Sequence, residues 1–295
     1  MSSEEIRIDS KVMMDNILKE LSDLPSLPAI VSQLIELLND PEANVKDLQT
    51  IISHDQALTA KILRLANSAY YGFSRRISTI TEAVIILGFA TIKSLAFAAS
   101  AFKMFNSRFE GYTLNKGDFW KHSLVSALSA RIIAHRIKYR ELEVAFIAGL
   151  MHDIGKMVLS RYVKNSFMEI MRQVTVDKKN FAEAERSVLG FDHAAIGGKV
   201  AQKWNLPKTF HEVITYHHQP ELSKEEKPLT AIVHVADSLA LMMGYGLGVD
   251  GLNYPLSREA LKTTGLSKND FKEIIVQVEA SVKEIESVFT DGLEG

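Results

Sequence analysis

The sequence predicts an all-α protein. Apolar residues recur three and four apart through most of the 295 residues, and capping residues stand just ahead of several of these runs. No stretch alternates apolar and polar side chains as a half-buried strand would.

The elements follow in chain order. Pro25 and Pro28 mark the entry to a helix whose apolar positions Ile30, Val31, Leu34, Ile35, Leu37 and Leu38 fall at helical spacing. Asn44 with Asp47 starts a second helix, which ends near His54. Asp55 caps a third, through Leu58, Ile62, Leu63 and Leu65 to Asn67 and Ser68. Thr79 and Glu82 have capping-box spacing and open the apolar run from Ala83 to Phe102. That run is as long as a membrane span, which needs ~20 residues. It carries Lys93 near its centre with Gly88, Thr91, Ser94 and Ser100, so we read it as a buried pair of helices broken near Gly88.

Glu110 to Asp118, with Gly111, Asn115 and Gly117, reads as the clearest loop of the first half. We expect it to divide an N-terminal helical lobe, residues 10–114, from a second lobe, residues 115–243, within one domain spanning 10–243. Helices are predicted there at Asp118–Ile137, Glu141–His152, Asn180–Leu189, Asp192–Trp204, Lys208–His218 and Pro228–Met243. Asp192 as N-cap puts His193 in a first turn. Gly244 to Gly251 reads as irregular. The remainder of residues 244–295 forms a helical appendage with Ser257 and Ser267 as caps and an apolar stripe of Phe271, Ile274, Ile275, Val278, Val282 and Ile285. We expect that stripe to pack against the domain rather than form a dimerising coiled coil.

Bulk properties narrow the function. Hydrophobic residues make up 46% and charged residues 24%, a globular balance, and the net charge of -2 gives no electrostatic reason to expect nucleic acid or an anionic membrane as partner. The absence of cysteine excludes disulfides and thiolate metal sites and fits a cytoplasmic protein. The first residues, Met-Ser-Ser-Glu-Glu, lack the features of a signal peptide.

Chemistry concentrates in seven residues: His122, His152, Asp153, His193, His217, His218 and Asp237. His152 and Asp153 lie in Val144-Ala-Phe-Ile-Ala-Gly-Leu-Met-His-Asp-Ile-Gly-Lys-Met-Val-Leu, an apolar setting where a bare carboxylate is costly and a divalent cation makes its ionised form favourable. Gly155 permits a tight turn, and Lys156 is a cation close enough to meet a phosphate. His217 and His218 point ~100° apart if the turn stays helical, so they serve one metal from two sides, or one site and its surroundings. Asp237 is again an acid inside an apolar helix. Inward-facing histidines and carboxylates from several helices suit a one- or two-metal site in an all-α protein. The plainer alternatives are a buried structural pair at His152-Asp153, a cap or surface residue at His193, an exposed helix end at His217-His218 and an ordinary salt bridge for Lys156. His54, His135, His211 and His234 default to structural or surface roles, and His234, nearly one turn before Asp237, has the alternative of supporting the metal ligands from behind.

The order His122, His152-Asp153, Asp237 resembles the HD superfamily of metal-dependent phosphohydrolases, and His193 with His217-His218 resembles further ligands of its binuclear HD-GYP branch. Leu24-Pro-Ser-Leu-Pro28, Ala60-Lys-Ile-Leu-Arg-Leu-Ala-Asn-Ser-Ala-Tyr-Tyr71 and Glu82-Ala-Val-Ile-Ile-Leu-Gly88 resemble the HDOD signalling-output domain. The resemblance runs from about Leu21 through Leu241. It implies one metal held by His122, His152, Asp153 and Asp237 and a second by His193, His217 and His218, with Asp153 bridging. Iron or manganese is favoured, and nickel or zinc suits the same donors. It implies catalytic roles for Asp153 and Lys156 on nucleotide or cyclic-nucleotide phosphoesters, and a signalling protein as partner. Many HDOD members resemble HD enzymes with an eroded ligand set, whereas this chain keeps the complete one. After His218 it reads Gln-Pro-Glu-Leu-Ser-Lys, without Gly-Tyr-Pro, so cyclic di-GMP is not implied as substrate. The rival expectation is a non-enzymatic output or scaffold module with a structural metal.

Overall fold

In the computed structural model, residue 19 and residues 27–73, 75–246 and 255–290 are described. Pro25, the start of the Leu24–Pro28 motif and much of the Gly244–Gly251 stretch lie outside these residues. Every regular element among the described residues is helical, apart from one isolated antiparallel bridge between Phe109 and Leu114. No described helix is long and apolar enough to cross a membrane.

The N-terminal lobe holds α1 (Ala29–Asn39), α2 (Val45–Ser53), α3 (Gln56–Ala66), α4 (Ile80–Leu87) and α5 (Phe89–Phe105). Its starts are those the caps predict. Asn44 and Asp47 form a reciprocal capping box, and Asp55 accepts from the Leu58 N–H. At Thr79 only half of the expected box forms: the hydroxyl accepts from the Glu82 N–H, while the Glu82 carboxylate reaches back to Ser78 and Arg75. The apolar run breaks at Gly88, as its composition predicts.

The second lobe holds α6 (Asp118–Arg136), α7 (Leu142–Met151), α8 (Gly155–Asn165), α9 (Phe167–Thr175), α10 (Phe181–Leu189), α11 (His193–Lys203), α12 (Lys208–Tyr216) and α13 (Lys227–Met242). The sequence reading omitted α8 and α9. Neither has a side-chain cap, and α8 leaves the His152-Asp153 turn with almost no break, so no start signal separates it from α7. α6 packs on α7 and α13, and α11 packs on α12 and α8.

Glu110 to Asp118 is not an exposed linker. Glu110–Tyr112 makes a 3₁₀ turn against α8, with Gly111 and Tyr112 buried. One hydrophobic cluster runs through both lobes and into the appendage, from Leu27 to Phe289. The appendage contributes α14 (Arg258–Thr264) and α15 (Lys268–Thr290). Ile274, Val278, Val282 and Ile285 on α15 are buried, and α15 packs along α6, so the stripe is used for intramolecular packing. Phe289 closes this contact between Trp120 and Phe102, with ring centroids 4.5 and 5.2 Å away.

Candidate metal centre

Five helices deliver the seven candidate donors to one place. His122 lies in α6, His152 is the C-cap of α7 with Asp153 after it, and His193 opens α11. His217 is the C-cap of α12, followed by His218, and Asp237 sits in α13. The Asp192 side chain accepts from the Ala195 N–H, as the sequence reading expects, and this fixes the start of α11. Gly155 allows that helix to approach: a Cβ there would lie 1.8 Å from the His193 carbonyl oxygen. His193 and His217 have no solvent exposure at all, so the surface reading of His193 and the exposed-end reading of His217 do not hold.

Asp153 stands at the middle. Its Oδ2 lies 3.4 Å from Nε2 of both His122 and His152, while its Oδ1 lies 3.4 Å from His193 Nε2 and 3.7 Å from His217 Nε2. Asp237 Oδ1 joins the first group, 3.2 Å from His122 Nε2 and 3.6 Å from His152 Nε2. Its Oδ2 lies 3.8 Å from His218 Nδ1. Donors held ~2.0–2.2 Å from a shared cation sit about 3 Å apart, close to the spacing found here.

The imidazoles are fixed from behind. His152 and His217 donate from Nδ1 to the carbonyls of Gly149 and Ile214, both at 2.7 Å, and His122 donates to the Tyr245 carbonyl at 3.1 Å. His193 donates from Nδ1 to Glu185 Oε2 at 2.6 Å. These acceptors assign the proton to Nδ1 in each ring and leave Nε2 with its lone pair turned inward. The Nε2 atoms then face one another, 3.3 Å apart for His122 and His152 and 2.8 Å apart for His193 and His218. Lone pairs this close repel unless a proton or a metal cation lies between them.

Two observations test whether a metal suits these residues. Asp153 Oδ1 and His217 Nε2 are buried polar atoms with no hydrogen-bond partner, a state that ordinarily costs stability. Donor atoms also converge in three overlapping sets: Asp153 with His193, His217 and His218; His122 with His152 and Asp153; and His152 with His217 and Asp237. Imidazole and carboxylate donors without thiolate suit borderline and hard divalent ions. The residues fit, and these buried groups could hold a metal.

The electrostatics divide the cluster. Burial works against charge on His152, but the Asp153 and Asp237 carboxylates prevail and push its pKa up to about 10. The same carboxylates raise His122 against burial. Burial, with His152 adding to it, pushes His217 down to about 3, and burial with His217 and His193 depresses His218. Both aspartates are held well below the usual carboxylate range despite burial: Asp153 by His152 and Lys156, Asp237 by His122 and His152.

Lys156 turns inward, its ammonium 2.5 Å from Asp153 Oδ2 and 5.6 Å from the centre of the Tyr112 ring. Sequence reasoning missed three supports. Glu185 accepts from both the backbone N–H and Nδ1 of His193, and Tyr112 donates to its other oxygen at 2.6 Å. The signal was present, since Phe181, Glu185 and Leu189 are four apart on the buried face of α10. The Tyr245 carbonyl left no trace in a side-chain pattern. His234 takes the supporting role that was the alternative to its structural default: its Nδ1 lies 2.7 Å from the His217 carbonyl, while its Nε2 accepts from the Ser257 N–H.

Comparison with known proteins agrees with this architecture. The profile of the HDOD domain matches residues 24–220. An HDOD domain protein of unknown function from Geobacter sulfurreducens shares 28% identity and a TM-score of 0.73, covering 97% of this chain and all (100%) of its own. A candidate phosphohydrolase from Shewanella amazonensis SB2B has the same fold, with 24% identity, a TM-score of 0.72 and coverage of 92% and 97% of the two chains. An uncharacterised protein of Treponema pallidum (strain Nichols) is 26% identical over 244 residues, 79% of this chain and 45% of its own length. The chain thus spans less than half the length of the curated relatives it matches. With the matched residues covering two thirds of the sequence, and the helices and the buried histidine–aspartate cluster in place, the chain belongs to the HDOD domain family.

Proposed function

We propose that this HDOD protein is a cytoplasmic signalling module whose centre holds two divalent ions, iron or manganese before nickel or zinc, and hydrolyses nucleotide or cyclic-nucleotide phosphoesters. The observation that carries the reading is the placement of Asp153, whose two oxygens face two separate groups of imidazoles at 3.4–3.7 Å. Ions bound there would supply a Lewis acid and a water acidified toward neutrality. His122, His152 and Asp237 with Asp153 Oδ2 would hold one, and His193, His217 and His218 with Asp153 Oδ1 the other. The protein's own part is orientation and charge. The Nδ1 hydrogen bonds aim each Nε2 inward, and the Lys156 ammonium adds positive charge beside Asp153, which favours an anionic phosphoester. His218 and Asp237, with side chains 8% and 6% exposed, are the least buried of the seven candidate donors.

Burial favours a second reading. His152, His193 and His217 are fully buried, so ions there would tie several helices together in a non-enzymatic scaffold for a signalling partner. Manganese-loaded protein assayed on a panel of nucleotide and cyclic-nucleotide phosphoesters separates the two. Hydrolysis of at least one substrate, reduced by roughly 100-fold or more in D153N, supports the enzyme. Failure of the whole panel in protein that holds both ions leaves the scaffold.

A further inference from the structure

We propose that the two halves of this centre fill in a fixed order, the histidine-rich half first, because Glu185 strengthens that half and Lys156 competes with a metal in the other. The inference rests on the two-ion reading above and adds to it the inequality of the halves.

The asymmetry is geometric. In the half formed by His193, His217, His218 and Asp153 Oδ1, two buried acceptors, Asp153 Oδ1 and His217 Nε2, have no hydrogen-bond partner. A single bound cation would satisfy both. The half also contains His193, whose Nδ1 faces a full carboxylate rather than a peptide carbonyl. Glu185 and His193 are both without solvent exposure and lie 2.6 Å apart. A buried carboxylate accepting from Nδ1 makes the opposite nitrogen a stronger donor and holds the ring in one orientation. Tyr112, also fully buried, fixes Glu185 in turn through the 2.6 Å bond to its free oxygen.

In the other half Asp153 Oδ2 already has a cation. The Lys156 ammonium lies 2.5 Å away, and its side chain is only 7% exposed, so leaving this oxygen means moving within a packed interior. An ion entering between His122, His152 and Asp237 must share Asp153 Oδ2 with that ammonium or displace it. Two cations on one carboxylate oxygen at low dielectric repel strongly. Among the described residues, Nδ1 of His122 and of His152 faces a backbone carbonyl. The half richer in carboxylate is therefore the weaker one, and the protein carries its own competitor for the second ion.

The test is calorimetric titration of manganese into the metal-stripped 295-residue chain, with E185Q, Y112F and K156M beside the wild type. Two resolved steps are expected in the wild type. E185Q weakens the tight step roughly 10–100-fold and leaves the weak one, Y112F acts in the same direction by less, and K156M tightens the weak step. A single undivided step for two ions, a weak step insensitive to K156M, or an effect of E185Q confined to the weak step overturns the order. Should circular dichroism show E185Q unfolded, Y112F and K156M decide. Two ions bound alike sink only the ordered filling, whereas no binding at all removes the proposed function with it.

Discussion

Tyr112 and Glu185, separated by 73 positions, meet in a 2.6 Å hydrogen bond with neither side chain exposed to solvent. The turn that reads as a loop between lobes is thereby a support of the histidine–aspartate cluster. The same logic recurs where the appendage meets α6.

Gly246 seats His122. It has φ +73°, and a Cβ there would lie 2.7 Å from the His122 ring, next to the Tyr245 carbonyl that accepts from Nδ1. G246A is expected to displace His122 and weaken binding of one manganese ion roughly 10-fold or more. G265A is the control: Gly265 has φ +63° with open space around it, so it incurs only backbone strain, ~1–2 kcal/mol. Equal manganese affinity in the two variants would contradict the seating.

Arg131 joins the lobes. Its guanidinium donates to Glu143 at 3.1 Å and to the hydroxyls of Tyr70 and Tyr71, residues of the Asn67–Tyr71 motif. Burial, together with the Arg131 cation acting against it, leaves the Tyr71 hydroxyl pushed up to about 12. R131M leaves Glu143 without its cation and is expected to cost roughly 3–5 kcal/mol in urea unfolding. The double variant R131M/E143L recovers part of that loss. A single variant as stable as wild type would show that the latch contributes nothing.

Glu212 holds the start of α13. Its Oε1 accepts from the Ser223 hydroxyl at 2.6 Å and from the N–H groups of Lys224, Glu225 and Glu226. Burial opposes its charge, but these donors hold its pKa below the ordinary 4.5. A depressed folded pKa stabilises above the unfolded value and is lost as pH falls below it. E212Q should lower stability by about 1–2 kcal/mol near neutrality and by progressively less below about pH 4.5. A difference that grows in acid would refute the assignment.

Metal-stripped and manganese-loaded protein should respond oppositely to pH. His152, raised from 6.5 to about 10, contributes stability that is full below about 6.5 and lost as pH rises toward about 10. Asp153 and Asp237, held below 3.8, contribute above that value and lose it in acid. Metal binding must displace histidine protons, so the gain on loading grows with pH. Melting curves at about pH 6 and about pH 8.5 check this. A metal-induced rise in Tm that shrinks at the higher pH would tell against it.

How much of this was legible in the sequence depends on the kind of signal. Helix starts at Asn44, Asp55, Thr79, Asp192 and Ser257 were readable because an N-cap is a local, side-chain event. The seven donors were readable because ionisable groups in apolar surroundings need partners. What escaped depends on three dimensions. α8 follows α7 with no cap between them, Glu185 acts on a histidine eight residues away, and the Tyr245 contribution is a backbone carbonyl available to any residue type. The sequence leaves Lys156 open between a phosphate contact and a salt bridge, and it is packing that turns it on to Asp153.

The most direct test of the account is a crystal of this chain grown with manganese, with diffraction recorded at the manganese absorption edge. Two anomalous peaks are predicted, one among His193, His217, His218 and Asp153 Oδ1, the other among His122, His152, Asp237 and Asp153 Oδ2. No peak beside Asp153 at saturating manganese, or a single one, would contradict a carboxylate that joins two metal sites.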